Sequence, residues 1–187
     1  MRITGGVFGG RVLKTPKSDA IRPTQDRVRE SVFNIIQCEL AGAVFLDLFA
    51  GSGAVGIEAL SRGAAAATFV ERDRRHAAVL ADNLKTFNLQ PSTSNLISAD
   101  AYRWIAAYAG DGFDIAFADP PYALGEERGY AAVLSTLAER GAVRPGGLFI
   151  AEMTAAQSVG GTDGWELLRD RVYGRTRILI WRRREGT

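Results

Sequence analysis

Val44-Phe45-Leu46-Asp47-Leu48-Phe49-Ala50-Gly51-Ser52-Gly53-Ala54-Val55-Gly56 is the stretch that decides the fold. Residues 44–49 are apolar except for one carboxylate, the pattern of a strand buried on both faces. Gly51 to Gly56 then reads G-x-G-x-x-G, and a helix is predicted from about Ala54 to Arg62. Glu71 lies twenty residues beyond Gly51 and ends the next predicted strand, Ala67–Glu71. Strand, glycine turn, helix and acid in that order form the nucleotide-binding fingerprint of an open α/β sheet. A ligand-free tight turn requires none of that coincidence.

Working outward, strands and helices alternate. Ala77, Leu80, Ala81, Leu84 and Phe87 fall on one helical face. Asn95–Ser98, Phe113–Ala118 and Gly147–Glu152 read as further strands. Trp165–Val172 and Arg175–Trp181 are joined by so short a connection, Tyr173-Gly174, that they must be antiparallel. Upstream, residues 2–14 read as a small β-hairpin around Gly5, Gly6, Gly9 and Gly10. Thr24 is the expected N-cap of a helix carrying Val28, Val32, Ile35, Ile36 and Leu40 on one face and Arg27, Glu30 and Asn34 on another. The expected organisation is a basic extension, 1–41, followed by a Rossmann-like α/β domain, 42–187, that closes with the antiparallel hairpin.

Composition narrows the chemistry. The chain has 187 residues, one cysteine and one histidine. Cys38 alone forms no intramolecular disulfide and no cysteine-based zinc site. With His76 the only imidazole, serine-histidine-aspartate and cysteine-histidine mechanisms are disfavoured, and no metal is expected. No apolar run reaches membrane-spanning length, and the first residues lack a signal core. The expectation is a cytoplasmic protein with no membrane partner.

Asp47 moves the ligand away from NAD. A carboxylate inside a buried strand needs a partner. It would repel a pyrophosphate but attract the ammonium of an amino-acid moiety. S-adenosylmethionine offers that ammonium, and a ribose for Glu71. Asp100-Ala101, after the third strand, can hold the adenine ring through a carboxylate and adjacent backbone.

Asp119-Pro120-Pro121-Tyr122 ends the fourth strand. Two prolines remove two backbone donors and stiffen the peptide, leaving carbonyls facing the ligand crevice expected at the strand ends. Asp119 adds an acceptor and Tyr122 an aromatic face. Acceptors beside a stacking ring suit a planar group bearing an exocyclic amine. The plain alternative is a proline turn with Asp119 as a helix cap.

The order Asp47-Leu48-Phe49-Ala50-Gly51-Ser52-Gly53, Glu71, Asp100 and Asp119-Pro120-Pro121-Tyr122 resembles the amino-methyltransferases that use S-adenosylmethionine. Arg22-Pro23-Thr24-Gln25-Asp26-Arg27-Val28-Arg29-Glu30 and Arg2-Ile3-Thr4-Gly5-Gly6 narrow the resemblance to the bacterial ribosomal RNA small-subunit methyltransferase D family, RsmD. It implies the class I methyltransferase fold and S-adenosylmethionine as methyl donor. It also implies methylation of the N2 amine of guanine 966 in 16S rRNA, with 16S rRNA in an assembled or partly assembled small subunit as the expected partner. Asp47, Phe49, Gly51, Gly53, Glu71, Asp100 and Ala101 are assigned to the cofactor; Asp119, Pro120, Pro121 and Tyr122 are assigned to catalysis.

Charge distribution adds an RNA-facing segment. Residues 1–29 hold seven basic side chains against Asp19 and Asp26, although the whole chain carries only +2. Arg2, Arg11, Lys14, Arg22 and Arg27 are the candidate phosphate contacts, which position RNA rather than identify its bases. Three other readings share parts of this pattern: an adenine-N6 methyltransferase, a non-catalytic RNA-binding assembly factor and an NAD-dependent oxidoreductase. Oligomeric state leaves no trace in the sequence.

Overall fold

The apolar run after Ala43 forms strand β1, Val44–Leu48, in which Phe45, Leu46, Asp47 and Leu48 are all buried. The computed structural model describes residues 1–16, 23–120, 129–157, 159–160 and 162–186. It divides into two compact units, Met1–Ala99 and Asp100–Thr187.

In the first unit, β1 pairs in parallel with β2, Ala66–Val70, and β2 with β3, Ser94–Ile97. Helix α1 spans Pro23–Ile35, α2 Gln37–Leu40, α3 Ala54–Ser61 and α4 Arg74–Thr86. Val28, Val32, Ile36 and Leu40 are buried as expected, joined by Phe33, which stacks on Phe45 at 6.2 Å. Ile35 instead faces solvent. Thr24 is not the N-cap: the helix already begins at Pro23, whose fixed φ suits the first helical position. His76 lies in the first turn of α4, where the Asp73 side chain caps the helix by accepting from the Arg75 and His76 N–H groups.

The N-terminal hairpin is looser than expected. One antiparallel bridge joins Arg2 and Val12, and Gly6–Phe8 form a 3₁₀ turn between them. Its order comes from packing: Ile3 and Leu13 are buried. Gly6 sits at φ +72° so close to α3 that a Cβ there would lie 1.8 Å from the Ser61 carbonyl oxygen.

In the second unit, β4, Phe113–Ala118, runs parallel to β5, Val143–Thr154. The last two strands are β6, Trp165–Tyr173, and β7, Thr176–Arg183, antiparallel to each other as expected. β7 also pairs with β5, so the order is β4-β5-β7-β6 and the chain's penultimate strand becomes the edge. Phe149 stacks on Trp181 at 5.8 Å and meets Trp165 edge-on at 6.1 Å. Helices α5, Ala101–Ala106, and α6, Tyr130–Glu139, were not legible in the sequence. In α5 the capping aspartate reads equally as a ligand acid. Among the described residues no helix is long and apolar enough to cross a membrane.

Candidate active site

The first unit brings five of the expected cofactor residues, Asp47, Phe49, Gly51, Gly53 and Glu71, together around the glycine turn. β1 ends at Leu48 and is followed by Phe49, held at φ +64°, a left-handed conformation that an aromatic residue adopts only under constraint. That twist turns the chain sharply out of the strand and into Gly51, itself at φ +55°. A Cβ added at Gly51 would meet nothing nearer than the Phe49 carbonyl oxygen at 4.0 Å, so the turn leaves an open face. Gly53 and Gly56 are glycines for the opposite reason. A Cβ would lie 2.1 Å from Leu80 Cδ1 at Gly53, and 2.3 Å from Phe69 Cε1 at Gly56. Both let α3 lie hard against its neighbours.

Two carboxylates brace the turn. Glu71, just past β2, accepts from the Gly51 N–H through Oε2 at 2.8 Å and from the Asp73 N–H through Oε1 at 2.6 Å. Asp47 accepts from the Gly56 N–H through Oδ2 at 2.9 Å. Burial pushes the Asp47 carboxyl up to about 7; the Gly56 hydrogen bond opposes this, and the Glu71 charge adds to it.

The raised value gives Asp47 a definite pH signature. Between the unfolded value of 3.8 and about 7 the folded chain holds a proton that the unfolded chain has released. Stability from this residue is therefore greatest at acid pH and falls as pH rises through 7. The wild-type minus Asp47→Asn difference in unfolding free energy should drop between pH 5 and pH 8 by an amount on the order of a few kcal/mol. A flat difference in urea titrations across that range would contradict the buried, near-neutral titration.

Asp100 caps α5, its Oδ1 accepting from the Arg103 N–H at 3.1 Å, and Ala101 is buried in the first turn. Asp119 follows the last residue of β4 and is exposed, whereas Pro120 is buried. Pro121, Tyr122 and Arg22 lie outside the described residues. Among the described residues no cluster of three or more His, Cys, Asp or Glu could hold a metal ion.

The basic candidates differ in how freely they present charge. Arg2 and Arg27 are exposed, and with Asp26 and Glu30 they line one shallow groove. Lys14 is exposed and makes an open ion pair with Asp82 at 3.2 Å. Arg11 is committed to packing: its guanidinium lies 4.2 Å from the Phe87 ring centre and donates to the Thr86 carbonyl at 2.7 Å. Arg29, counted in the basic excess, is buried and paired with Glu58 and Asp26.

The residues that sequence reasoning missed form the joint beneath that segment. Glu58 of α3 is fully buried and accepts from the Thr4 N–H, the Thr4 hydroxyl, Arg29 Nε and Arg62 Nε at 2.7–3.3 Å. Ser61 accepts from the Phe8 N–H and donates to the Gly5 carbonyl. The one local clue was the Glu58–Arg62 spacing of four on a helix; the other partners come from 29 to 54 residues away.

With this geometry in view, the likeness to known proteins is specific. The family model described as conserved hypothetical protein 95 matches residues 1–182. The ribosomal RNA small subunit methyltransferase D of Escherichia coli K12 is 36% identical over 186 residues, covering 98% of this chain and 90% of that protein. The chain belongs to the RsmD family. The Haemophilus influenzae RsmD is 33% identical over 177 residues, 93% of this chain and 89% of its own length. Among solved structures, the Escherichia coli yhhF protein matches with a TM-score of 0.85 at 32% identity, covering 100% of this chain and 99% of that one. SMU.776, solved in complex with SAH, has a TM-score of 0.66 at 20% identity over 87% of this chain and 50% of its own, a likeness of fold. The chain therefore has the Rossmann-like fold of class I methyltransferases, with its antiparallel C-terminal hairpin.

Proposed function

We propose that the protein transfers a methyl group from S-adenosylmethionine to the exocyclic N2 amine of a guanine in 16S rRNA, in the cytoplasm, on an assembled or partly assembled small subunit. The observation that carries the reading is the glycine turn with its open face at Gly51, braced by Glu71 and Asp47. Full-length identity to rRNA methyltransferases supports the substrate class; guanine 966 is the position the family resemblance implies.

The donor set fits S-adenosylmethionine. Glu71 can accept from ribose hydroxyls, Gly51 and Gly53 admit the ligand to the backbone, and Asp47 offers a carboxylate to an ammonium. Phe49 shapes the entry to the turn, and Asp100 with Ala101 takes the adenine. When bound, the sulfonium supplies an activated methyl, released as its sulfur becomes a thioether.

The chain's part is orientation and charge. The guanine amine is a weak nucleophile because its lone pair is delocalised into the ring. Asp119 and the Pro120 carbonyl accept its two N–H groups and aim the lone pair at the methyl carbon, so alignment supplies most of the acceleration. As the N–C bond forms, the Asp119 carboxylate offsets positive charge on nitrogen. The surplus proton leaves to Asp119 or to water, so no histidine base is needed. Pro121 stiffens the turn, and Tyr122 stacks on the base, a contact of about 1–3 kcal/mol. Arg2, Lys14, Arg22 and Arg27 hold phosphates, whereas Arg11 chiefly orders the segment.

The cofactor assignment predicts that Asp47→Ala and Glu71→Ala each lower S-adenosylmethionine affinity by about tenfold or more, the size expected for losing one charged hydrogen bond. Unchanged calorimetric affinity in both variants would show that the carboxylates only brace the turn.

The RNA assignment is best tested by substitution, since deleting the segment would also remove buried Ile3 and Leu13 and uncap Glu58. Replacing Arg2, Lys14 and Arg27 together by alanine should reduce the slope of log affinity against log salt by about 2–3. A slope equal to wild type would mean that these charges do not touch phosphate.

The decisive experiment is methyl transfer from labelled S-adenosylmethionine to small subunits lacking the modification, followed by nucleoside analysis. N2-methylguanosine is the expected product. Recovery of N6-methyladenosine would overturn the assignment, and cofactor binding without transfer to any RNA would favour an assembly factor.

A further inference from the structure

Helix α4 buries a stripe of Ala77, Leu80 and Leu84. One member of that stripe is polar: Asn83 is 1% exposed. A buried amide is costly unless each of its groups is paired, and here the pairing is specific. Oδ1 accepts from the Lys14 N–H at 2.9 Å. Nδ2 donates both its hydrogens, to the Lys14 carbonyl at 3.0 Å and to the Ser52 carbonyl at 2.9 Å. One planar side chain therefore clasps the backbone of the basic N-terminal segment and the backbone of the glycine turn. A leucine would fill the same stripe without the desolvation cost. One helical turn earlier, Leu80 sits where a Gly53 side chain would be, so α4 touches the turn at both of these places.

The two clasped residues belong to the two binding functions. Lys14 carries an exposed ammonium whose only described partner is the open pair with Asp82. Ser52 lies between Gly51 and Gly53 of the turn. A displacement of the segment at Lys14 must stretch the Asn83 hydrogen bonds or move the Ser52 carbonyl with it. We propose that Asn83 is a positioning residue that couples RNA engagement by the N-terminal segment to the shape of the cofactor turn. The inference rests on the functional reading above, and linkage makes it reciprocal: cofactor must tighten RNA binding by the same factor as RNA tightens cofactor binding.

Two measurements on the full chain test it. In the wild-type protein, saturating S-adenosylhomocysteine should slow hydrogen exchange at the Lys14 amide, which donates to Asn83. An unchanged Lys14 amide, with cofactor binding confirmed by calorimetry, overturns the coupling and leaves the methyltransferase reading intact. Failure of the wild-type chain to bind S-adenosylhomocysteine at all overturns both.

The second measurement is the affinity for unmodified small subunits with and without S-adenosylhomocysteine. Wild type should bind about fivefold or more tightly with it, the low end of ordinary coupling. Asn83→Asp keeps the acceptor for Lys14 but replaces the amide donors, and should bring the factor close to one while still binding each ligand alone. A merely structural role would weaken both binary affinities and leave their ratio at the wild-type value, and that result would overturn the proposal. Should Asn83→Asp fail to fold, the wild-type exchange measurement still decides.

Discussion

Asp119→Ala should slow methyl transfer by about two orders of magnitude or more, the usual loss when one electrostatic group aimed at developing charge is deleted. The exposed position of Asp119 just beyond β4 makes a folding defect an inadequate explanation for such a loss. Cofactor affinity should change little. Asp119→Asn keeps an acceptor oxygen and loses only the charge, so its activity should lie between Ala and wild type. At Tyr122 the same logic separates ring from hydroxyl: Tyr122→Phe keeps the stacking face and should be mild, whereas Tyr122→Ala should be severe. Single-turnover rates at saturating cofactor read these differences directly. Near wild-type turnover by Asp119→Ala, or equal damage from Tyr122→Phe and Tyr122→Ala, would make the turn a structural feature.

Glu58→Ala carries the largest expected cost in stability. The carboxylate is fully buried and takes hydrogen bonds from Thr4, Arg29 and Arg62. Its removal leaves the buried Arg29 guanidinium with Asp26 as its remaining acid and takes away the Thr4 bonds that tie the N-terminal segment to α3, leaving the Ser61 bonds in place. Removing one partner of a buried ion pair costs about 3–5 kcal/mol. At roughly 2–4 °C per kcal/mol for a chain of this size, the melting temperature should fall by on the order of 10 °C. Glu58→Gln retains the shape and some of the accepting capacity and should lose less. A melting temperature within 2 °C of wild type for Glu58→Ala, a shift of about 1 kcal/mol or less, would show that buried Ile3 and Leu13 and the Ser61 and Asn83 hydrogen bonds hold the segment without the Glu58 joint.

Much of the architecture was written locally. The run around Phe45 and Leu48 could only be a strand covered on both faces, because continuous apolar residues have nowhere else to go. The G-x-G-x-x-G spacing demanded residues that tolerate left-handed backbone and close approach, and Gly53 and Gly56 show both needs. Trp165 to Trp181 had to be a hairpin, because a Tyr173-Gly174 link cannot span a parallel crossover. The acids at 47 and 71 were legible because a carboxylate beside such a turn is expensive without a partner.

Only the tertiary structure decided the rest, and in each case the deciding partner is distant in the chain. β7 pairs with β5 ahead of β6 because Ile178, Leu179, Ile180 and Trp181 need cover, while the charged face of β6 can sit at the edge. Arg29 counted as surface charge until Glu58, on a different helix, was found beside it. Arg11 likewise reads as a free cation until it lies over Phe87. Asn83 carries no motif, since an amide that joins Lys14 to Ser52 acquires meaning only when three separate segments meet. Periodicity and spacing are properties of neighbours along the chain, and they determined β1, the terminal hairpin and the glycine turn. Burial, charge pairing and the coupling of one segment to another depend on which neighbours the fold supplies.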